Sequence, residues 1–232
     1  MTPLKEIGEM QISVADHDYF FRPSFSAMAS IGSGSEIVTT YAVLNGFEVS
    51  QLIASIVDVY GTFPEWLIKT IKKPILGKKV LSAAMHVMQC CCSDDITPLV
   101  GEWVPGKKGV VYRNGKMPIA NIIIIGRELA EHGIMGKAKL RKLQRHEFNG
   151  TNSYTREFEV FEYINGARTH FDMSRIEAEQ LTMTEYQLLL KAKYPEEKGF
   201  TREEYDELMD ADDRLQARLI AEEEAKRVAN GR

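Results

Sequence analysis

The stretch Glu9-Met10-Gln11-Ile12-Ser13-Val14-Ala15-Asp16-His17-Asp18-Tyr19-Phe20-Phe21-Arg22-Pro23-Ser24-Phe25 decides the reading of the fold. Met10, Ile12 and Val14 alternate with polar residues, Asp16-His17-Asp18 supplies turn chemistry, and Tyr19-Phe20-Phe21 resumes an extended pattern, so the segment predicts a β-hairpin. Pro23 stops the second strand and Ser24 stands as an N-cap. Phe25, Met28, Ala29 and Ile31 then fall at helical spacing until Gly32-Ser33-Gly34 interrupts them.

Beyond this opening the periodicity is helical almost throughout. Ser35 is placed to cap a helix carrying Ile37, Val38, Tyr41 and Leu44, closed at Asn45-Gly46. Ser50 is placed to cap a second, with Ile53, Ile56, Val57 and Tyr60, closed at Gly61. A short helix is expected over Pro64 to Lys73, and Val80 to Cys92 reads as a buried helix. Val110-Val111-Tyr112 before Asn114-Gly115 suggests a second small hairpin or an extended arm. Ile119 to Glu131 is expected to be a helix despite its β-branched run, because Glu128-Leu129-Ala130-Glu131 are helix formers.

Asn149-Gly150-Thr151-Asn152-Ser153 is the best linker candidate. Past it, Phe158, Phe161, Ile164, Ala167 and Phe171 are assigned to one helix face. Capping boxes are expected at Ser174 with Glu177 and at Thr201 with Glu204, and Thr184 is taken to open another helix. The expected fold is mainly α with a short N-terminal β-hairpin, an α+β arrangement. Two domains are expected: residues 1–150, hairpin plus helices, and residues 151–232, helical with an acidic tail.

Composition narrows the class of protein. With 44% apolar and 27% charged residues the chain matches ordinary soluble globular proteins. The N-terminus lacks the apolar core of a secretory signal, and no apolar run approaches the roughly 20 residues of a membrane span. A reducing, cytoplasmic compartment is the expectation. Cys90, Cys91 and Cys92 are consecutive, and adjacent side chains diverge, so reduced thiols are expected instead of a disulfide framework. Although the net charge is only −4, residues 105–146 carry ten Lys or Arg against two Glu, and residues 201–232 carry ten Asp or Glu against six Lys or Arg. Such asymmetry points to charged partners within or outside the chain.

Motifs for catalysis and cofactors fail one by one. Gly32-Ser33-Gly34 lacks the third glycine and the preceding strand of a dinucleotide site, and no Gly-Lys-Ser/Thr occurs. His86 and Cys90 share a helix face, but Cys91 and Cys92 are rotated about 100° and 200° away and no second ligand pair exists, so a core-facing thiol cluster is preferred to zinc. Asp94-Asp95 and Asp212-Asp213 are read as caps or solvated turns. No catalytic residue, metal ligand or cofactor is expected, and the chain is read as a non-enzyme.

A basic stripe over Lys137 to His146 would turn Leu140 and Leu143 to the core and Lys139, Arg141, Lys142 and Arg145 outward, able to meet phosphates or an acidic protein surface. It lacks aromatic stacking residues, so a solvated face is preferred and nucleic acid is not the expected partner.

Two segments carry a family resemblance. Tyr19-Phe20-Phe21-Arg22-Pro23-Ser24-Phe25, leading into Ala27-Met28-Ala29, resembles the start of tail assembly chaperones of tailed bacteriophages. Met173 to Pro195, with Leu181-Thr182-Met183-Thr184-Glu185-Tyr186 at its centre, is similar to their C-terminal portion. The resemblance implies a protein of the infected bacterial cytoplasm that binds the tape-measure protein and recruits tail-tube subunits, with self-association open. An amphipathic partner helix would be gripped at i, i+3, i+4 and i+7, for which Leu181, Tyr186, Leu189 and Leu190 are the candidates. The alternatives are a structural tail or head-tail component of the virion and a DNA-associated accessory protein using the basic stripe.

Overall fold

The structure, a computed structural model, describes residues 2–14, 17–62, 64, 66, 74–107, 109–138, 157–194 and 202–230. Its elements are mainly helical, with two antiparallel two-stranded sheets, and the first sheet is the N-terminal hairpin.

Strands β1 (Met10–Val14) and β2 (His17–Phe21) pair with Met10 opposite Phe21 and Val14 opposite His17. His17 and Asp18 therefore belong to β2 and not to the turn. The hairpin is too small to stand alone. It is fastened by its far end: Phe21 bridges Cys92, and the Arg22 amide donates to the Cys91 carbonyl at 2.9 Å. Ser24 caps α1 (Phe25–Ala29) as the sequence implies, its hydroxyl accepting from the Ala27 amide at 3.2 Å.

Helix α2 (Gly34–Leu44) is capped by Ser33 in a capping box with Glu36, two residues ahead of the expected Ser35. Helix α3 (Phe47–Tyr60) starts at Gly46, where a left-handed backbone (φ 66°) reverses the chain, and not at Ser50. Most of the helix expected over Pro64 to Lys73 lies outside the described residues. Helix α4 (Pro74–Cys90) follows, then α5 (Thr97–Val100). Strands β3 (Glu102–Gly106) and β4 (Gly109–Arg113) form the second hairpin. Asn114-Gly115 lies beyond β4 and is not its turn.

Helix α6 (Ile119–Ala130) runs into a wider π-helical turn over Glu131–Met135. Next come α7 (Val160–Phe171), α8 (Arg175–Gln180) with the expected Ser174–Glu177 capping box, and α9 (Met183–Lys193). Thr182, not Thr184, caps α9, accepting from the Glu185 amide at 3.1 Å. Phe158 precedes α7 and is buried, while Phe161 is 72% exposed, so the packed face of α7 runs through Val160, Ile164, Ala167 and Phe171.

The core is centred on α4 and α6, which approach closely at Ala84 and Gly126, and on Phe21, Phe25 and Met28 of the opening segment. Phe158, Ala167, Ala178, Leu181 and Met183 belong to the same core. The expected domain boundary near 150 is therefore not where the packing divides: residues 1–138 and 154–192 form one compact unit. Helices α7 and α8 are short and pack on α1, and Tyr186 of α9 meets Phe25 of α1. The remaining described residues form a second unit. Its described part contains α10 (Arg202–Asn230), in which the side chains over 202–218 are exposed, Tyr205, Leu208 and Leu215 included. The expected capping residue Thr201 lies outside the described residues.

Candidate functional site

The four anchors expected to grip a partner serve mostly to hold the fold. Leu181 is buried, 5% exposed, and its carbonyl accepts from the Phe25 amide at 2.8 Å. The Tyr186 ring meets Phe25, Tyr163 and Phe171 edge-on, at 6.0, 6.1 and 6.2 Å between centroids. Tyr163 in turn stacks on Phe25 at 5.8 Å and on Phe158 at 5.0 Å. Burial pushes both the Tyr163 and Tyr186 hydroxyls above the usual tyrosine range. Leu189 packs on the same core, and Leu190 is half-buried. A helix face that already fills this aromatic cluster cannot also present it to a partner. The other predicted surface, the basic stripe Lys139, Arg141, Lys142 and Arg145, lies outside the described residues.

Groups with reactive potential are committed locally. His86 Nε2 lies 3.1 Å from the Ile31 carbonyl and 4.0 Å from Cys90 Sγ. Cys91 and Cys92 are buried and Cys90 is half-buried; desolvation raises all three thiols, which keeps them protonated and poorly nucleophilic. Asp95 caps Thr97, accepting from its amide at 2.9 Å, and Asp94 faces His17 at 3.5 Å. Among the described residues no three His, Cys, Asp or Glu converge as a metal site would require.

One buried polar cluster was not legible in the sequence. His132, in the π-helical turn, lies with Nδ1 2.8 Å from Thr184 Oγ1, and that oxygen also accepts from the Lys137 amide at 3.0 Å. Desolvation holds His132 below the usual histidine range, aided by Lys137 and opposed by Glu128 and Glu131. Lys137 bridges Glu128 at 2.5 Å and Glu131 at 2.7 Å. Burial would raise the Glu131 carboxyl, but Lys137 and Arg127 outweigh it and the net shift is downward. The cluster is internally satisfied, and it ties the end of α6 to the start of α9.

What remains open is α3. Val49, Leu52, Ile53, Ile56, Val57 and Tyr60 form a broad stripe at helical spacing, the pattern of a helix with a covered face. Among its described side chains only Ile56 is buried. Phe47 is 47% exposed, Val59 77% and Tyr60 61%. A shallow groove runs along it, lined by Ser50, Ile53, Ala54, Val57, Asp58 and Gly61. Tyr60 meets Trp66 edge-on at 6.5 Å, extending the apolar surface. Contiguous exposed apolar surface of this kind marks a site of association.

A sequence family, described as "Family of unknown function (DUF6246)", matches residues 21–207, most of the chain. The chain belongs to DUF6246. Comparison with curated proteins and with solved structures gives no match. The DUF6246 region begins at Phe21, after β1, and takes in α3, the aromatic cluster and the His132 cluster.

Proposed function

We propose that this DUF6246 protein is a tail assembly chaperone of a tailed bacteriophage, acting in the host cytoplasm by holding the tape-measure protein and recruiting tail-tube subunits. It works through surfaces and not through reactive groups. The observation that carries this reading is α3, an amphipathic helix with one buried side chain, Ile56, among those described, and with Leu52, Val57, Val59 and Tyr60 exposed. A helix-in-groove contact recognises amphipathic partners by such a stripe.

The resemblance supplies the class of partner. Its two segments are joined in space: Ser24 bridges Thr182, and Arg22 bonds Glu185 at 2.9 Å. The joint supports reading the two segments as one functional unit.

The test is co-expression with tape-measure and tail-tube proteins, followed by affinity capture, together with mass spectrometry of purified virions. Capture of the tape-measure protein and absence from mature particles are expected. Failure to capture either partner would overturn the reading, and stoichiometric presence in virions would replace it with a structural tail component.

A further inference from the structure

We infer that α3 is the docking face for an amphipathic helix of another protein whose apolar stripe is flanked by lysine or arginine. This rests on the protein-binding reading above and specifies the chemistry of the partner.

The argument is one of charge around an apolar face. From Pro23 to Ile68 the chain contains no Lys or Arg, whereas Glu36, Glu48, Asp58 and Glu65 fall within it. Asp58 itself lines the groove beside Val57 and Ile53. With Asp58 in the groove and no Lys or Arg in α2 or α3, the surface is complemented by apolar side chains bordered by cations, and it repels a partner bordered by acids.

Two other occupants fit less well. Helices that lie on membranes carry Lys or Arg on the polar face to meet anionic headgroups, and the polar positions of α3 include none. Helices α2 and α3 pass a length-and-composition test for a broken membrane span only as a pair, bent by 62°. Ile37, Val43 and Leu44 of α2 are buried in the protein, which removes that half from lipid. A second copy paired through α3 would bring two like surfaces together, each with Asp58 in its groove and no Lys or Arg in α2 or α3 to offset it. The helix is about 21 Å long, short of a standard interface of about 800 Å² per partner whatever docks on it. Such a small contact suits reversible holding.

The test uses the full chain and two synthetic peptides of about 18 residues, five helical turns, with the same leucine pattern and either lysine or glutamate at the remaining positions. Fluorescence anisotropy should show binding of the lysine peptide and none of the glutamate peptide. The double substitution Val57→Asn with Tyr60→Asn, which removes apolar surface from the stripe without adding charge, should weaken binding at least about tenfold, while Val111→Asn, at an exposed site on β4, leaves it unchanged. Equal binding of both peptides by the wild type overturns the inference even if the double variant fails to fold. So would unchanged binding by a folded double variant, or a wild-type dimer in sedimentation that the double variant loses. Wild-type capture by phosphatidylcholine vesicles holding about a quarter phosphatidylglycerol, lost in the double variant, would assign α3 to lipid instead. Tape-measure capture that survives the double substitution would sink the α3 assignment and leave the chaperone reading standing. Lysine-peptide binding through α3 without tape-measure capture would do the reverse.

Discussion

Arg22 Nη2 donates to Glu185 Oε2 at 2.9 Å, joining residues 163 positions apart. The same guanidinium donates through Nε to the Gln180 carbonyl at 2.8 Å and through Nη1 to Glu9. Glu9 is 6% exposed, and its other oxygen accepts from the Leu4 amide at 2.9 Å. One side chain thus clamps the N-terminal segment, the end of β2 and the α8–α9 junction. Arg22→Met should destabilise the fold by roughly 2–4 kcal/mol, chiefly because Glu9 is left buried without its cation. Glu185→Gln, at a more exposed site, should cost less than about 1 kcal/mol. Urea unfolding of the two variants checks the order, and equal losses would refute the assignment of the burden to Glu9.

Gly126 sits where α6 crosses α4. A Cβ built there would lie 2.8 Å from both the Cα and Cβ of Ala84, so backbone must shift to admit it. Alanine favours a helix interior over glycine by about 1 kcal/mol, yet Gly126→Ala should be destabilising because overpacking, at about 1–3 kcal/mol, outweighs that gain. Gly126→Val should cost more. A raised melting temperature for Gly126→Ala would show that the two helices can separate freely.

His132 predicts the direction of an acid effect. Its folded pKa is lowered, so below about pH 6.5 the unfolded chain takes up a proton that the folded one resists. Its contribution is therefore complete above that pH and is lost as the pH falls toward the lower folded value. Thermal melts from pH 8 down to about pH 5 should show a steeper decline for the wild type than for His132→Gln, in which this titration is missing. Parallel curves would mean that His132 is accessible to protons without disturbance of Thr184.

The cysteines predict graded reactivity. Cys91, whose thiol is raised furthest by burial, should resist iodoacetamide in the native protein, and Cys90, half-buried, should react first. Peptide mass spectrometry before and after urea would count the modified sites. Fast labelling of Cys91 in native protein would contradict the packing of α4.

Short-range hydrogen bonds and periodicity made the local elements legible. The β1–β2 hairpin, the Ser24 cap, the Ser174–Glu177 capping box and the helix over Ile119 to Ala130 each depend on residues within a few positions of one another. The choice of Ser35 and Ser50 as caps went astray for a local reason: Ser33 completes a box with Glu36, and Gly46 can turn the chain with a positive φ, so earlier starts win.

Which apolar faces are covered depends on contacts between distant segments. Tyr186 and Leu189 carry the i, i+3 spacing of the α3 stripe, but Phe25 and Tyr163 arrive to cover Tyr186, while among the described side chains of α3 only Ile56 is buried. The packing of residues on both sides of position 150 into one unit, and the meeting of His132 with Thr184, were likewise hidden. A helical period states that one face prefers burial; it carries no information about the distant segment that will cover it, because that contact depends on closing loops of more than a hundred residues.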